Sequence, residues 1–115
     1  MIVNYDKLYI DFKEAVPECM YFCKEKEAEN SIDDTSGMHV LFGMAVVPYI
    51  LYVVNNKEER IIKKIFSFME QMAVCADVRV QEVLSVTILE QLLDMKYDDF
   101  QEYKNYMGEN TLKYL

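Results

Sequence analysis

Hydrophobic side chains recur every three or four positions along most of this chain. The first such segment carries apolar side chains at Tyr5, Leu8, Tyr9, Phe12, Ala15, Val16, Cys19 and Cys23. Steps of three and four residues place side chains on one face of an α-helix. Asn4 can cap the start of this helix, and Pro17, which lacks an amide proton, is expected to kink it or divide it in two.

The clearest pattern covers residues 56–93, where two amphipathic segments follow each other across a short break at Asp77. The apolar positions of the first segment are Ile61, Ile62, Ile65, Phe66, Met69, Met72 and Ala73, and those of the second are Val80, Val83, Leu84, Thr87, Ile88 and Leu92. Asn56 and Glu59 have the spacing of a capping box at the start of the first segment, and Asp77 can cap the second. The pattern predicts a helical hairpin.

The segment Met38–Val54 is apolar nearly all round, which is typical of the central helix of a small helical domain. Thr35 or Ser36 can cap its start, and Pro48 is expected to bend it or divide it. Its 17 residues fall short of the roughly 20 apolar residues that a membrane-spanning helix needs. We therefore expect a buried core helix and no membrane partner.

Two polar stretches complete the pattern. Lys24–Ser36 carries five acidic residues and almost no apolar ones, which indicates the end of a helix that runs into an exposed loop. A last helix is predicted from Tyr97 to Met107, with Gly108 as a left-handed stop. No run is typical of a β-strand. The predicted fold is therefore all-α, a single domain over residues 1–115 with about five to six helices stacked as antiparallel hairpins, either HEAT-like or as a bundle.

Length and charge narrow the possible partners. A domain of 115 residues buries roughly 65% of the surface that its unfolded chain exposes, which is enough for a genuine core. The chain has 20 acidic against 12 basic residues and a net charge of -8. Such a charge repels phosphate backbones and anionic membrane surfaces, so nucleic acid is not an expected ligand. It attracts a basic protein, which is the partner that the composition favours.

The chain offers few residues for catalysis or metal binding. Its three cysteines are an odd number, and residues 1–6 have neither the basic start nor the apolar run of a signal peptide, so we expect free thiols and a cytoplasmic location. Cys19 and Cys23 lie one helical turn apart and could share a metal with His39, but the missing fourth ligand favours buried core thiols. His39 has no Ser or Cys partner at a recognisable spacing, which favours a capping or partly buried role. We expect neither an enzyme nor a cofactor.

Three segments resemble a group of small helical immunity proteins of bacterial polymorphic toxin systems, which include contact-dependent growth inhibition. They are His39–Gly43 with the Val47–Tyr49 that follows, Ile65–Glu70, and Val80–Glu90. The resemblance spans residues 39–90. In addition, Ala76–Leu84 is similar to the second half of a HEAT-type repeat, in which an Asp opens a helix with a leucine-rich face.

The resemblance to immunity proteins implies a function. Such a protein binds one cognate toxin domain in the cytoplasm and blocks its active site or its access to substrate. The acidic balance of this chain suits a basic, nuclease-type toxin. The alternative is a HEAT-like adaptor or scaffold protein that binds other proteins without any toxin and that could dimerise through its apolar helix.

The partner-binding surface is expected outside the hairpin, in the acidic loop before His39 and in the tyrosine-rich tail. Tyrosine offers a large, rigid contact area with a polar tip, and carboxylates complement a basic cleft. The candidate contact residues are Glu29, Asp33, Asp34, Asp94, Tyr97, Asp98, Asp99, Glu102 and Tyr106. The competing hypothesis for the tail is a solvated helix whose tyrosines pack inward.

Overall fold

Seven helices make up the fold of the described chain. The computed structural model describes residues 2–94 and 97–115, with Tyr97 and Asp98 as backbone only. Helix α1 comprises Tyr5–Lys7 and Leu8–Ala15, α2 comprises Pro17–Cys19 and Met20–Asn30, and α3 spans Met38–Asn55. Helix α4 spans Glu59–Ala73, α5 joins Val78–Glu82, Val83–Leu89 and Glu90–Leu93, α6 spans Tyr97–Lys104, and α7 spans Glu109–Leu112. All regular structure in these residues is helical, so the predicted all-α class is confirmed.

Helices α1 and α2 form as the sequence predicts. The Asn4 side chain caps α1 by accepting a hydrogen bond from the Asp6 amide at 2.9 Å. Val16 leaves the helical conformation, with φ -128° and ψ 68°, and Pro17 opens α2. A proline in the first turn loses no hydrogen bond, because that amide has no partner within a helix. Pro17 therefore divides the segment into two helices.

Helix α3 passes through Pro48 without a break. Its section Phe42–Val46 has a wider, π-type turn, in which the Val47 amide donates to the Phe42 carbonyl five residues back. Pro48 has no amide proton, and in a regular helix its ring crowds the carbonyl four residues earlier. The wider turn directly before Pro48 accommodates this residue. Of the two outcomes expected at Pro48, a bend or a division of the helix, the division does not occur.

Helix α3 is a core helix. It contains 18 residues, and its mean hydropathy of 1.7 makes it long and apolar enough to cross a membrane by length and composition alone. However, 50% of this stretch is buried inside the domain, as in the central helix of a soluble protein. The helix contacts α1, α2, α4 and α5. The fold is thus a bundle arranged around α3.

Aromatic rings join three of these helices in the core. The Phe42 ring of α3 lies 6.1 Å from the Tyr9 ring and 6.0 Å from the Phe12 ring of α1. The Phe12 ring in turn lies 5.3 Å from the Phe68 ring of α4, nearly perpendicular to it. Edge-to-face pairs of this kind are a favoured arrangement of buried rings. Phe12 therefore ties α1 to both α3 and α4.

The loop between α2 and α3 is organised around Asp33. Its carboxylate accepts hydrogen bonds from the Thr35 amide at 2.8 Å and the Thr35 hydroxyl at 2.6 Å, and the Ser36 hydroxyl accepts one from the Asp33 amide at 2.9 Å. The side chains of Thr35 and Ser36 thus make their hydrogen bonds within the loop. Gly37, with φ 90°, precedes α3 and provides no side-chain cap. The prediction that Thr35 or Ser36 caps α3 is wrong.

The turn between α3 and α4 also differs from the prediction. The side-chain and backbone amides of Asn56 donate to the Tyr52 carbonyl at 2.8 Å and 3.1 Å, which closes the end of α3. Lys57 follows in the left-handed conformation, with φ 53°. Glu58 precedes α4 and makes no side-chain cap. The Asn56 side chain bonds to the last turn of α3 and does not cap α4. The predicted capping box of Asn56 and Glu59 is therefore wrong.

Helix α5 begins as predicted. The Asp77 carboxylate accepts a hydrogen bond from the Arg79 amide at 2.9 Å, which caps the helix, and another from the Arg79 guanidinium at 2.8 Å. Val83–Leu89 forms a second π-type turn. This section packs against the wide turn of α3.

Helix α7 is fastened to α4 by Glu70. The Glu70 carboxylate accepts hydrogen bonds from the backbone and side-chain amides of Asn110 at 3.0 Å and 2.8 Å, and from the amide and hydroxyl of Thr111 at 2.8 Å and 2.9 Å. Gly108 lies so close to this carboxylate that an added Cβ atom would overlap it. Its φ of -73° is not left-handed, and it precedes α7. The predicted left-handed stop at Gly108 is wrong, and proximity to Glu70 accounts for the glycine.

Candidate functional site

The first predicted contact region is the end of α2 and the loop after it. Glu29 is exposed, and its carboxylate lies 3.1 Å from the Lys26 ammonium. Asp33 and Asp34 are exposed in the loop. The hydrogen bonds from Thr35 hold the pKa of Asp33 below its ordinary value of 3.8. These acids are accessible to a partner, although Glu29 and Asp33 already bond within the chain.

The second predicted contact region is α6 and its surroundings. The exposed acids described here are Asp94, Asp99 and Glu102. Tyr106 is half-buried, and its ring stacks on Phe66 with 6.3 Å between centroids. The side chains of Tyr97 and Asp98 lie outside the described part of the structure. Tyr106 therefore packs against the core, as the competing hypothesis of inward packing expects.

A groove lies between α2, the C-terminal half of α3 and the start of α4, and we call it the aromatic groove. Its volume is about 500 Å³. The aromatic side chains that line it are Tyr21, Phe22, Tyr49 and Tyr52. The carboxylates that line it are Glu18, Glu25 and Glu58. None of these residues was among the predicted contacts.

The aromatic rings of the groove form a stack that is open at its edge. Phe22 and Tyr52 are stacked, with 5.3 Å between centroids and 29° between planes, and the Tyr49 ring lies 5.3 Å from Phe22. Tyr52 is 46% exposed and Tyr21 is 75% exposed, so their rings are accessible from solvent. The Lys26 ammonium lies 5.5 Å from the Phe22 centroid, within the range of a cation–π interaction. The cluster thus already attracts a cation of its own chain.

The carboxylates of the groove differ in their pairing. Glu18 Oε2 lies 2.7 Å from the Lys64 ammonium and 3.4 Å from the Arg60 guanidinium. The hydrogen bond from Lys64 lowers the pKa of Glu18 from its ordinary value of 4.5. Glu18 Oε1 is buried and has no hydrogen-bond partner among the described residues. Glu25 and Glu58 are exposed and form no ion pair within residues 2–94 and 97–115.

Tyr49 combines a buried ring with a hydroxyl that makes no hydrogen bond within residues 2–94 and 97–115. The residue is 4% exposed, and burial raises the pKa of its hydroxyl, with a further contribution from the charges of nearby groups that include Glu18 and Glu58. The hydroxyl forms no hydrogen bond among the described residues, and it is not one of the buried atoms that lack a partner, so solvent reaches it from the groove. The hydroxyl of Tyr9, in contrast, donates to Glu27 at 2.6 Å. The Tyr49 hydroxyl is therefore a group to which water, or a ligand in the groove, can bond.

The residues considered for metal chemistry have structural roles. Cys19 and Cys23 are buried in the core, as predicted. His39 Nδ1 lies 2.5 Å from the Thr87 hydroxyl, which ties the start of α3 to α5. In the part of the chain that the structure describes, no group of three or more His, Cys, Asp or Glu side chains is placed to hold a metal ion.

Local spacing gives only a partial signal for the aromatic groove. Tyr49 and Tyr52 are three residues apart on α3, and Tyr21 and Glu25 are four apart on α2, so each pair shares a helical face. A search for aromatic and acidic residues on one face finds each pair separately. Only the packing of α2 on α3 brings the two pairs to one groove.

Taken together, these features define an acidic, all-α domain with an aromatic groove. Residues 9–115 match the model of a family described as a domain of unknown function, DUF7674, and the chain therefore belongs to that family. No curated protein and no solved structure matches the chain.

Proposed function

We propose that this protein is an immunity protein, a stoichiometric inhibitor that binds one basic toxin domain in the bacterial cytoplasm. The aromatic groove is the observation that carries this proposal. It combines accessible rings with the carboxylates of Glu25 and Glu58, which form no ion pair among the described residues, on a molecule whose net charge is -8. Tyrosine side chains and their partners' arginines dominate the binding energy of many protein interfaces. The resemblance of residues 39–90 to immunity proteins indicates the class of partner, a toxin domain.

The mechanism that follows is occlusion. A specific protein complex buries about 800 Å² on each partner, which is more than one groove provides. The interface would therefore extend from the groove to acids on the surrounding surface, while the groove anchors a basic side chain of the toxin. Occlusion needs neither a catalytic group nor a cofactor on the inhibitor.

The direct test is co-expression with the product of the gene immediately upstream. We expect this protein to rescue the cells from toxicity and to co-purify with the upstream product in equal amounts. The charge-reversed pair Glu25→Lys with Glu58→Lys should lose rescue, because it places positive charges where a basic partner docks.

A second reversed pair, Asp99→Lys with Glu102→Lys, tests the surface that the sequence predicted. It carries the same change of net charge as the groove pair. A loss of toxin affinity confined to the groove pair locates the interface at the groove, and a loss confined to the second pair locates it on α6. Unchanged affinity and salt dependence in both pairs would contradict an acidic interface, and a failure of the wild type to rescue would contradict the immunity function.

The adaptor alternative is favoured by a different observation. Val40 and Met44 are exposed one turn apart on α3, and Val86 is exposed on α5, which packs against α3. Exposed apolar residues that lie close together are typical of interfaces between proteins. An adaptor that dimerises through this surface should sediment as a dimer, and Met44→Glu should convert it to a monomer. Sedimentation of the wild type as a monomer at micromolar concentration would contradict such dimerisation.

A further inference from the structure

From the aromatic groove we infer that its occupant is the guanidinium group of an arginine side chain from a protein partner. This inference rests on the proposed function only in taking a protein as the partner. It specifies which chemical group of that partner the groove recognises.

Charge is the first argument. Three carboxylates line the groove, and among the described residues only Glu18 has basic partners, Lys64 and Arg60, both of which contact its Oε2. The charges of Glu25 and Glu58 are uncompensated by any ion pair of the described residues. A cation that enters the groove is attracted by both of these carboxylates. A neutral or anionic group has no such complement here.

Ring geometry is the second argument, and it favours a flat cation. Phe22 stacks on Tyr52 and carries Lys26 over its ring, so the rings open to a ligand are those of Tyr52 and Tyr21, which are 46% and 75% exposed. A guanidinium group is planar, stacks on aromatic rings and is more weakly hydrated than an ammonium group, so it leaves water more readily. Lys26 shows that a ring of this cluster accepts a cation within about 6 Å.

The hydroxyl of Tyr49 is the third argument. It belongs to a buried side chain, lines the groove and has no hydrogen-bond partner among the described residues. A guanidinium group carries five N–H donors in a fixed fork, enough to reach a carboxylate and a hydroxyl at once. The exposed carboxylates of Glu25 and Glu58 line the same groove and offer further acceptors. An arginine in the groove can therefore donate to the Tyr49 hydroxyl and to a groove carboxylate at the same time.

The test is an NMR titration of the full chain with three short peptides. The probe is acetyl-Gly-Arg-Gly-amide, and the controls carry citrulline, which is uncharged and has nearly the same shape, or lysine. We expect saturable shifts at Tyr21, Phe22, Tyr49 and Tyr52 with the arginine peptide, about fivefold weaker binding of the lysine peptide, and no such shifts with citrulline. Equal shifts with citrulline, or shifts spread evenly over the acidic surface, would overturn the inference.

Two matched variants separate binding from folding. Tyr49→Phe removes only the unpartnered hydroxyl, so it should leave the unfolding midpoint unchanged and weaken the arginine peptide about fivefold. Tyr9→Phe removes a hydroxyl that bonds to Glu27, so it should lower stability and leave peptide binding unchanged. A second pair of variants tests charge. Glu58→Gln removes a carboxylate of the groove, and Glu90→Gln, at an exposed position of α5, is its control. Peptide binding that Tyr49→Phe and Glu58→Gln leave unchanged would contradict the assignment.

Toxin binding by the same variants distinguishes this inference from the proposed function. If Tyr49→Phe and Glu58→Gln weaken both the arginine peptide and the toxin, both proposals are supported. If the toxin is neutralised equally by all variants and the peptide gives no shifts in the groove, the arginine site is wrong and the immunity function stands. If the peptide binds in the groove and no toxin is neutralised, the immunity function fails and the arginine site stands for another protein partner.

Discussion

Two buried tyrosines of this protein differ in what their hydroxyl groups contact. Tyr9 is 2% exposed and donates a hydrogen bond to the Glu27 carboxylate at 2.6 Å, and the Lys13 ammonium lies 4.2 Å from its ring centroid. Tyr49 is 4% exposed and lines the groove, and its hydroxyl makes no hydrogen bond in the part of the chain that the structure describes. A satisfied hydroxyl contributes to stability, whereas an unsatisfied one does not. The difference separates a structural tyrosine from one that is available for binding.

Stability should therefore respond differently to the two conservative substitutions. Tyr9→Phe should lower the free energy of unfolding by about 1–2 kcal/mol, because the lost bond has a charged acceptor. Tyr49→Phe should change it by less than about 0.5 kcal/mol. Urea unfolding followed by circular dichroism measures both. A larger loss in Tyr49→Phe than in Tyr9→Phe would show that the Tyr49 hydroxyl has a structural partner.

Glu70 makes stability depend on pH in a predictable direction. Burial raises its pKa, but the hydrogen bonds from Asn110 and Thr111 lower it more, so the net pKa lies below the ordinary value of 4.5. A carboxylate whose pKa is lower in the folded than in the unfolded state stabilises the fold above the unfolded pKa. That contribution is lost as the pH falls through the folded pKa.

The measurement compares wild type with Glu70→Gln. At about pH 7 the variant should be less stable by about 2 kcal/mol, because the amide group that replaces one oxygen faces hydrogen-bond donors. The difference should shrink as the pH is lowered to about 3, since wild type then loses the carboxylate too. Glu90→Gln, at an exposed position, serves as the control. A difference that is constant across this range would rule out the carboxylate as its source.

At the scale of the element, local patterns predicted the helices better than their ends. The apolar periodicity located α1 to α5, because burial of one face dominates the choice of helix. The caps at Asn4 and Asp77 were predicted correctly, since each bonds an amide two residues ahead. Asn56 and Ser36 also have side chains that can cap a helix, yet each bonds to a different local partner. The sequence alone does not rank such alternatives.

Contacts between distant elements explain what the sequence did not reveal. Glu70 and Thr111 are 41 residues apart, so nothing near Gly108 indicates the carboxylate that excludes a side chain there. The aromatic groove was missed for the same reason, because its walls come from α2, α3 and the start of α4. The predicted acids at Asp34 and Glu102 are exposed as expected, but exposure alone does not make a site.

The attachment of α7 can be tested with a double-mutant cycle. Gly108→Ala should displace the Glu70 carboxylate and cost about 1–3 kcal/mol in the wild-type background. In the Glu70→Ala background the cost should largely disappear, because the conflicting group is absent. Hydrogen exchange of residues 109–115 should accelerate in both single variants. Additive effects would show that Gly108 has a requirement independent of Glu70.

For the molecule as a whole, charge repulsion should be measurable without any partner. The chain carries 20 acids against 12 bases, and several acids, among them Asp34, Asp94 and Asp99, are exposed. Salt screens repulsion between exposed charges over about 10 Å. We expect Tm to rise by about 2–5 °C between about 0.05 M and 0.5 M NaCl. The rise should be smaller in a variant with Asp34, Asp94 and Asp99 changed to Asn, and a fall in Tm with salt would mean that attractive pairs dominate.

The wide turn of α3 sets the angular position of everything that follows it in that helix. A π-type turn adds about one residue to a helical turn, and one residue corresponds to a rotation of about 100° about the helix axis. Tyr49 and Tyr52 come after this turn, so the stretch Phe42–Val46 sets the register in which both rings face α2. A relative lacking one residue there could keep every groove side chain and still direct the two tyrosines elsewhere. Helix register, as well as side-chain identity, thus decides whether a member of the family has this groove.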